Sequence, residues 1–268
     1  MYRTLCALSL LSLYARMAHS FSWEIVTTVS YSSSLDFYDI DGTLTHTENI
    51  TAPSGKIENI IYDPVHDRVL FADSYSIYSF EIATMKTECL ISDSNEVPPH
   101  ITVLAYDPAT ELLFWTENYN HLYSISIKPG FNKNKKQLIS LDEVWIVDMA
   151  VNSCEGFIYY YYLTDGLMVK PYERVRFDGS EREVVIDNVT SIFFDNDQKS
   201  HKLYWTDYSK PRYEDETNTY NYTFKYSDLN GQNVRTIHKL TPKSFFYSLT
   251  SSREFIYLRI NDYKKGQW

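Results

Sequence analysis

Two aspartates one residue apart, Asp39 and Asp41 in Tyr-Asp-Ile-Asp-Gly-Thr-Leu-Thr at 38–45, are where this chain first hints at chemistry. Carboxylates so spaced could supply a nucleophile and a proton carrier. The competing reading is a turn between two strands. Asp-Gly suits a two-residue hairpin loop, because Gly, and to a lesser degree Asp or Asn, tolerates positive φ. The same punctuation returns as Asp178-Gly179-Ser180 and Asn230-Gly231-Gln232, and more loosely as Ile-Lys-Pro-Gly at 127–130. Each copy follows an alternating apolar run and precedes another. A pattern used three times marks a structural unit, so the pair is read as a turn.

The octapeptide resembles the opening motif of the haloacid dehalogenase phosphatases. That family also needs a downstream lysine and a second acidic cluster such as Gly-Asp or Asp-Asp, and neither dipeptide occurs here. It needs a βαβ architecture too, and the helical period of 3.6 appears nowhere convincingly. Other catalytic signatures are also missing. The histidines beyond the first twenty residues (His46, His66, His100, His121, His201 and His238) form no H-x-H or H-E-x-x-H pair, and no G-x-S-x-G elbow exists. They are read as surface or satisfied histidines.

The elements that would position any site come from a repeat. Arg-Val-Leu-Phe-Ala-Asp-Ser (68–74), Glu-Leu-Leu-Phe-Trp-Thr-Glu-Asn (111–118), Phe-Ile-Tyr-Tyr-Tyr-Tyr (157–162), His-Lys-Leu-Tyr-Trp-Thr-Asp-Tyr (201–208) and Glu-Phe-Ile-Tyr-Leu-Arg-Ile (254–260) align on one position. Its occupants are Val26, Leu70, Phe114, Tyr159, Tyr204 and Tyr257, at intervals of 44, 44, 45, 45 and 53. A period of this size marks propeller blades. Asp63, Asp107 and Asn152 stand seven residues before their anchors, where a turn enters the anchor strand. The anchor strands carry large apolar side chains on both faces, as strands sandwiched between neighbouring sheets should.

Tyr204-Trp205-Thr206-Asp207 and Phe114-Trp115-Thr116-Glu117, at this spacing, resemble the YWTD repeats of low-density-lipoprotein receptor class B domains. Ser-Trp-Glu-Ile-Val-Thr-Thr-Val-Ser-Tyr near the start, and the cysteine in Met-Ala-Val-Asn-Ser-Cys-Glu-Gly, look most similar to the cueball-type glycoproteins. The resemblance implies an all-β, six-bladed β-propeller over residues 21–268. Departures occur at the third and fourth motif positions (Ala72, Tyr161 and Arg259; Val29, Tyr162 and Ile260), while size and period are kept. By register the sixth blade lacks its outer strands and the first its inner strand, leaving the junction between them open.

Residues 1–20 combine Arg3, an apolar run from Leu5 to Ala15 and small residues at Ala18 and Ser20, the pattern of a secretory signal peptide. Removing them takes Arg3, Arg16 and Cys6, moving the net charge from −10 to about −12 and leaving Cys89 and Cys154, too few for a disulfide scaffold. An acidic chain is a poor partner for nucleic acid, and no direct membrane insertion is expected. The hydrophobic fraction of 44% argues against disorder, and 24 Tyr and 14 Phe favour pleated surfaces. The one basic cluster, Lys-Asn-Lys-Lys at 133–136, reads as a solvated hairpin end. Sequons at Asn49, Asn188 and Asn221 offer glycosylation sites; Asn49 and Asn221 border polar turns, and Asn188 runs into an inner strand. The expected function is that of a secreted, glycosylated, non-enzymatic module binding an extracellular protein, with no cofactor. A propeller enzyme with a metal ion in its central channel is the alternative; only Glu58, Asn59 and Asp148 offer it ligands. An ectodomain fragment of a larger class B repeat receptor is a third reading.

Overall fold

The computed structural model describes residues 23, 25–28, 32–39, 41–50, 54–92, 98–130, 134–164, 170–189, 191–197, 201–209, 221–240, 245–251 and 256–261. The leader read over residues 1–20 lies outside the described residues, as do Val29 and Ile40.

Each sheet is an antiparallel meander in chain order. The first joins β1 (Ile25–Thr27), β2 (Ser34–Tyr38) and β3 (Leu44–Asn49). The second joins β4 (Asn59–Asp63), β5 (Arg68–Ala72), β6 (Ser76–Glu81) and β7 (Lys86–Ser92). The third joins β8 (Ile101–Asp107), β9 (Leu112–Glu117), β10 (His121–Ser126) and β11 (Lys136–Ser140). The fourth holds β12 (Val144–Asn152), β13 (Phe157–Thr164), β14 (Lys170–Arg176) and β15 (Glu183–Val189). The fifth holds β16 (Ser191–Asp197), β17 (Lys202–Ser209), β18 (Asn221–Asp228) and β19 (Arg235–Leu240). β20 (Phe245–Ser251) and β21 (Ile256–Asn261) pair as a two-stranded remainder.

This is an all-β propeller of five blades, so the expectation of six is corrected. Six anchors recur because each marks only one strand of its sheet, the first in the sheet of β1 and the second in the others. How many strands then join it is a separate matter, and the sheet that begins at β20 has two among the described residues.

The repeat register holds strand by strand. Asp63, Asp107, Asn152 and Asp197 pair with Arg68, Leu112, Phe157 and Lys202, each two residues before its anchor. Leu70 packs with Leu104, Leu113 and Trp115 of the next blade, Phe114 with Met149, Ile158 and Tyr160, and Tyr159 with Leu203 and Trp205. The anchor therefore faces the following blade and the motif tryptophan the preceding one. Both faces are buried, which accounts for the unbroken apolar runs. β4, β8, β12, β16 and β20 pack in succession as the innermost strands, and burial falls from the wholly buried β8 to the mostly exposed β7 and β19.

All five outer pairings (β2–β3, β6–β7, β10–β11, β14–β15 and β18–β19) contain a register shift. The pairings just inside them run unbroken. Such irregularities bend a strand and spoil the flat edge that invites a foreign strand.

Candidate functional site

The aspartates that opened the sequence form a turn. Asp39 Oδ1 accepts the N–H groups of Asp41 at 3.1 Å and Thr43 at 2.8 Å, and the Asp39 N–H donates to the Thr43 carbonyl at 3.0 Å. Gly42 closes the loop at φ 79°. The bonds of Arg176 to Ser180 and Asp228 to Gln232 repeat this layout. Between the bonded pairs 176/180 and 228/232 the loop holds three residues with the glycine last, at positive φ, so the expected two-residue hairpin is corrected.

The YWTD-like residues are structural. Phe114 and Trp115 are fully buried on opposite faces of β9. Thr116 Oγ1 lies 2.8 Å from Thr102 Oγ1 and accepts the Val103 N–H at 3.2 Å, tying β9 to β8. Glu117 takes the Trp115 indole N–H at 2.8 Å and Lys135 Nζ at 2.6 Å. Tyr204 lies tilted against Tyr226 at 6.0 Å, Trp205 and Thr206 are buried, and Asp207 pairs with Lys225. Of the basic cluster, Lys133 lies outside the described residues, and Lys135 and Lys136 are exposed yet engaged: Lys135 lies over the Tyr123 ring at 4.2 Å, and Lys136 donates to the Asp178 carbonyl at 2.9 Å.

The channel candidates have other duties. Glu58 pairs with Lys56 at 2.5 Å and accepts from Ser74 Oγ at 3.1 Å; Asn59 is buried in β4; Asp148 Oδ1 caps the Met149 N–H at 2.9 Å. Among the described residues no three His, Cys, Asp or Glu side chains group as a metal site. Asn49 and Asn221 are exposed, at the end of β3 and the start of β18, and Asn188 lies within β15. Cys89, on β7, and Cys154, in the β12–β13 turn, are free and exposed.

What the molecule does present is a row of aromatic side chains. A meander puts the β5–β6 and β9–β10 loops and the connections between blades on one face, here the upper face. Tyr75 meets His100 edge-on at 6.3 Å, His100 stacks on Tyr119 at 5.2 Å, and Tyr119 reaches Trp145 at 5.8 Å. Tyr75, Tyr119 and Trp145 are 45%, 37% and 52% exposed. The row crosses three blades.

Its backbone is pinned. Asp73, at the motif's acidic position, accepts the N–H groups of Tyr75 and Ser76, both at 2.8 Å. Asn118 and Tyr119 sit at φ 50° and 70°, a costly conformation for a bulky side chain, which persists only where the surroundings impose it. They do so here. The Asn118 N–H reaches the His100 carbonyl at 2.8 Å, Asn118 Oδ1 takes the His100 N–H at 3.0 Å, and the Tyr119 carbonyl accepts the Ile146 N–H at 2.7 Å. Burial holds His100 below the usual imidazole range despite the Glu58 carboxylate 3.8 Å away, so the ring is neutral at pH 7. None of these four residues stood out in the sequence as a binding residue. The available signal was that Tyr75 and Tyr119 both stand five residues after their anchors.

No known family profile matches the chain. Solved structures do. In a crystal structure of a nidogen–laminin complex the match is 17% identical with a TM-score of 0.51, covering 72% of this chain and 85% of that one. An oligogalacturonate lyase in complex with manganese is 11% identical at a TM-score of 0.60 (82% and 62% covered). The hydrazine synthase of Kuenenia stuttgartiensis is 12% identical at 0.59 (84% and 67%). At such identities the likeness is one of fold, and it places the chain among the β-propellers. That fold serves enzymes and a protein found in complex with laminin alike, so function rests on the site.

Proposed function

We infer that the chain is a secreted, N-glycosylated propeller of the YWTD type, akin to the cueball-type glycoproteins, that binds an extracellular protein through its upper face and catalyses nothing. The observation that carries this reading is the exposed row Tyr75–His100–Tyr119–Trp145, held on a backbone that cannot relax. Monomeric surfaces seldom display clustered rigid aromatics without use, and Tyr and Trp are the side chains that dominate interface energetics. The leader pattern over residues 1–20 and the exposed sequon asparagines Asn49 and Asn221 support secretion and glycosylation. The nidogen–laminin match supports binding as a use of this fold.

The test has two arms. Expression in secreting cells should deliver the chain to the medium with a mass that drops on enzymatic deglycosylation. The purified protein, immobilised, should then retain extracellular proteins that Tyr119→Ser and Trp145→Ala variants of unchanged circular dichroism no longer hold. Retention indifferent to both substitutions would remove the upper face from the function.

A further inference from the structure

The row is flanked by charge of one sign. Asp142 and Glu143, in the β11–β12 connection three and two residues before Trp145, are exposed, and no ion pair engages them among the described residues. Glu143 is itself held at φ 55°. Among the described residues, positive charge along the row is engaged: Lys56 pairs with Glu58 at 2.5 Å and Lys135 with Glu117 at 2.6 Å, while burial favours the uncharged form of His100. Exposed aromatic faces bordered by unpaired carboxylates, on a chain of net charge −10, attract cations by ring quadrupole and by Coulomb force together.

Length constrains the occupant further. Three centroid steps of 6.3, 5.2 and 5.8 Å match roughly five residues of extended chain. We propose that the upper face takes an extended, arginine- or lysine-bearing peptide segment of a partner protein. One cationic side chain lies over the Trp145–Tyr119 pair and is held by Asp142 and Glu143, while aliphatic parts of the segment cover Tyr75 and His100. Arginine suits the place better than lysine, since its planar guanidinium stacks on rings and pairs with carboxylates at once.

This inference rests on the upper face being the binding face, and the experiment separates the two. Labelled ten-residue peptides alternating Ser with Arg, with Glu or with Asn are titrated against the full secreted chain by fluorescence anisotropy at about 150 mM salt. The Arg peptide should bind at least about tenfold tighter than the others. Trp145→Ala, and separately Asp142→Asn with Glu143→Gln, should each weaken it about fivefold. Asp41→Asn with Glu88→Gln removes equal charge elsewhere and should change nothing. If that control pair weakens binding as much, the attraction is only net charge and the proposal falls. It falls equally if the three peptides bind alike or the Arg peptide does not bind. Partner capture that still depends on Trp145 would then preserve the upper face with a partner of other chemistry, and capture indifferent to Trp145 would remove both readings.

Discussion

Gly231 sits at φ 76° with the Val185 carbonyl oxygen only 2.0 Å from where a Cβ would lie. The third loop position demands positive φ, and the β18–β19 turn presses on the preceding blade. Gly42 has the same backbone and open space around it. Gly42→Ala should therefore cost about 1–2 kcal/mol, the left-handed penalty alone, and Gly231→Ala clearly more; chemical denaturation of the two variants measures the gap. The turn role of both was legible in the dipeptides Asp-Gly and Asn-Gly. The second role of Gly231 was not, because it depends on how closely one blade approaches the next.

Glu173, 4% exposed on β14, is another residue whose surroundings decide its behaviour. Burial alone would raise its carboxyl, but Arg182 at 2.7 Å and the hydroxyls of Tyr160 at 2.6 Å and Tyr162 at 3.0 Å outweigh it and hold the group below the usual carboxylate range. A depressed folded value stabilises the fold above the unfolded value of about 4.3. That contribution should be lost as pH falls through the folded one. Melting temperatures taken from pH 7 downward should fall in this acid range, and Glu173→Gln should flatten that fall while lowering stability at pH 7.

At the scale of the strand, the motif threonine joins neighbours that pattern alone does not connect. Thr116→Val keeps the shape and removes the Thr102 contact and the acceptor of the Val103 N–H, both buried. An orphaned buried donor costs about 1–3 kcal/mol, and thermal or urea unfolding of Thr116→Val should show a loss in that range. Anchor spacing revealed one strand of each sheet, and at Asp63, Asp107 and Asn152 the turn before the anchor located the strand preceding it, because both positions are set by one short hairpin. Blade number was read as six because anchors were counted, although the register already left the last sheet without its outer strands; the strands that complete a sheet have weak, exposed sequences. β19, Arg-Thr-Ile-His-Lys-Leu, has no apolar signature to count. The bulges that break every outer pairing were likewise invisible, since an extra residue in an exposed strand leaves no pattern.

For the molecule as a whole, blades are fastened to one another at both faces. Ser153 of the fourth blade donates to the buried Asp107 of the third, and His66 of the second stands between its own Asp63 at 2.9 Å and Glu111 of the third at 3.5 Å. Above, the Ile101 N–H reaches the Ser74 carbonyl at 2.8 Å, and the Ile146 N–H reaches that of Tyr119. The aromatic row runs over these same upper seams. Its composition was in the sequence at Tyr75, His100, Tyr119 and Trp145, but its continuity was not, because the four residues meet only once three blades stand side by side.

A segment lying along that row would act as a removable staple across two seams. Opening either seam would require peeling the segment away first, so occupancy is linked to local opening as well as to global stability. Amide hydrogen exchange at Ile101 and Ile146, whose N–H groups bridge the seams, should slow in the bound protein, while exchange in the outer strand β19, in a blade the row does not cross, stays as it was. Equal slowing everywhere would mean that the ligand tightens the fold only as a whole. Slowing confined to the seams would show the disc stiffened as an arc of three blades, its remaining blades free to open on their own schedule.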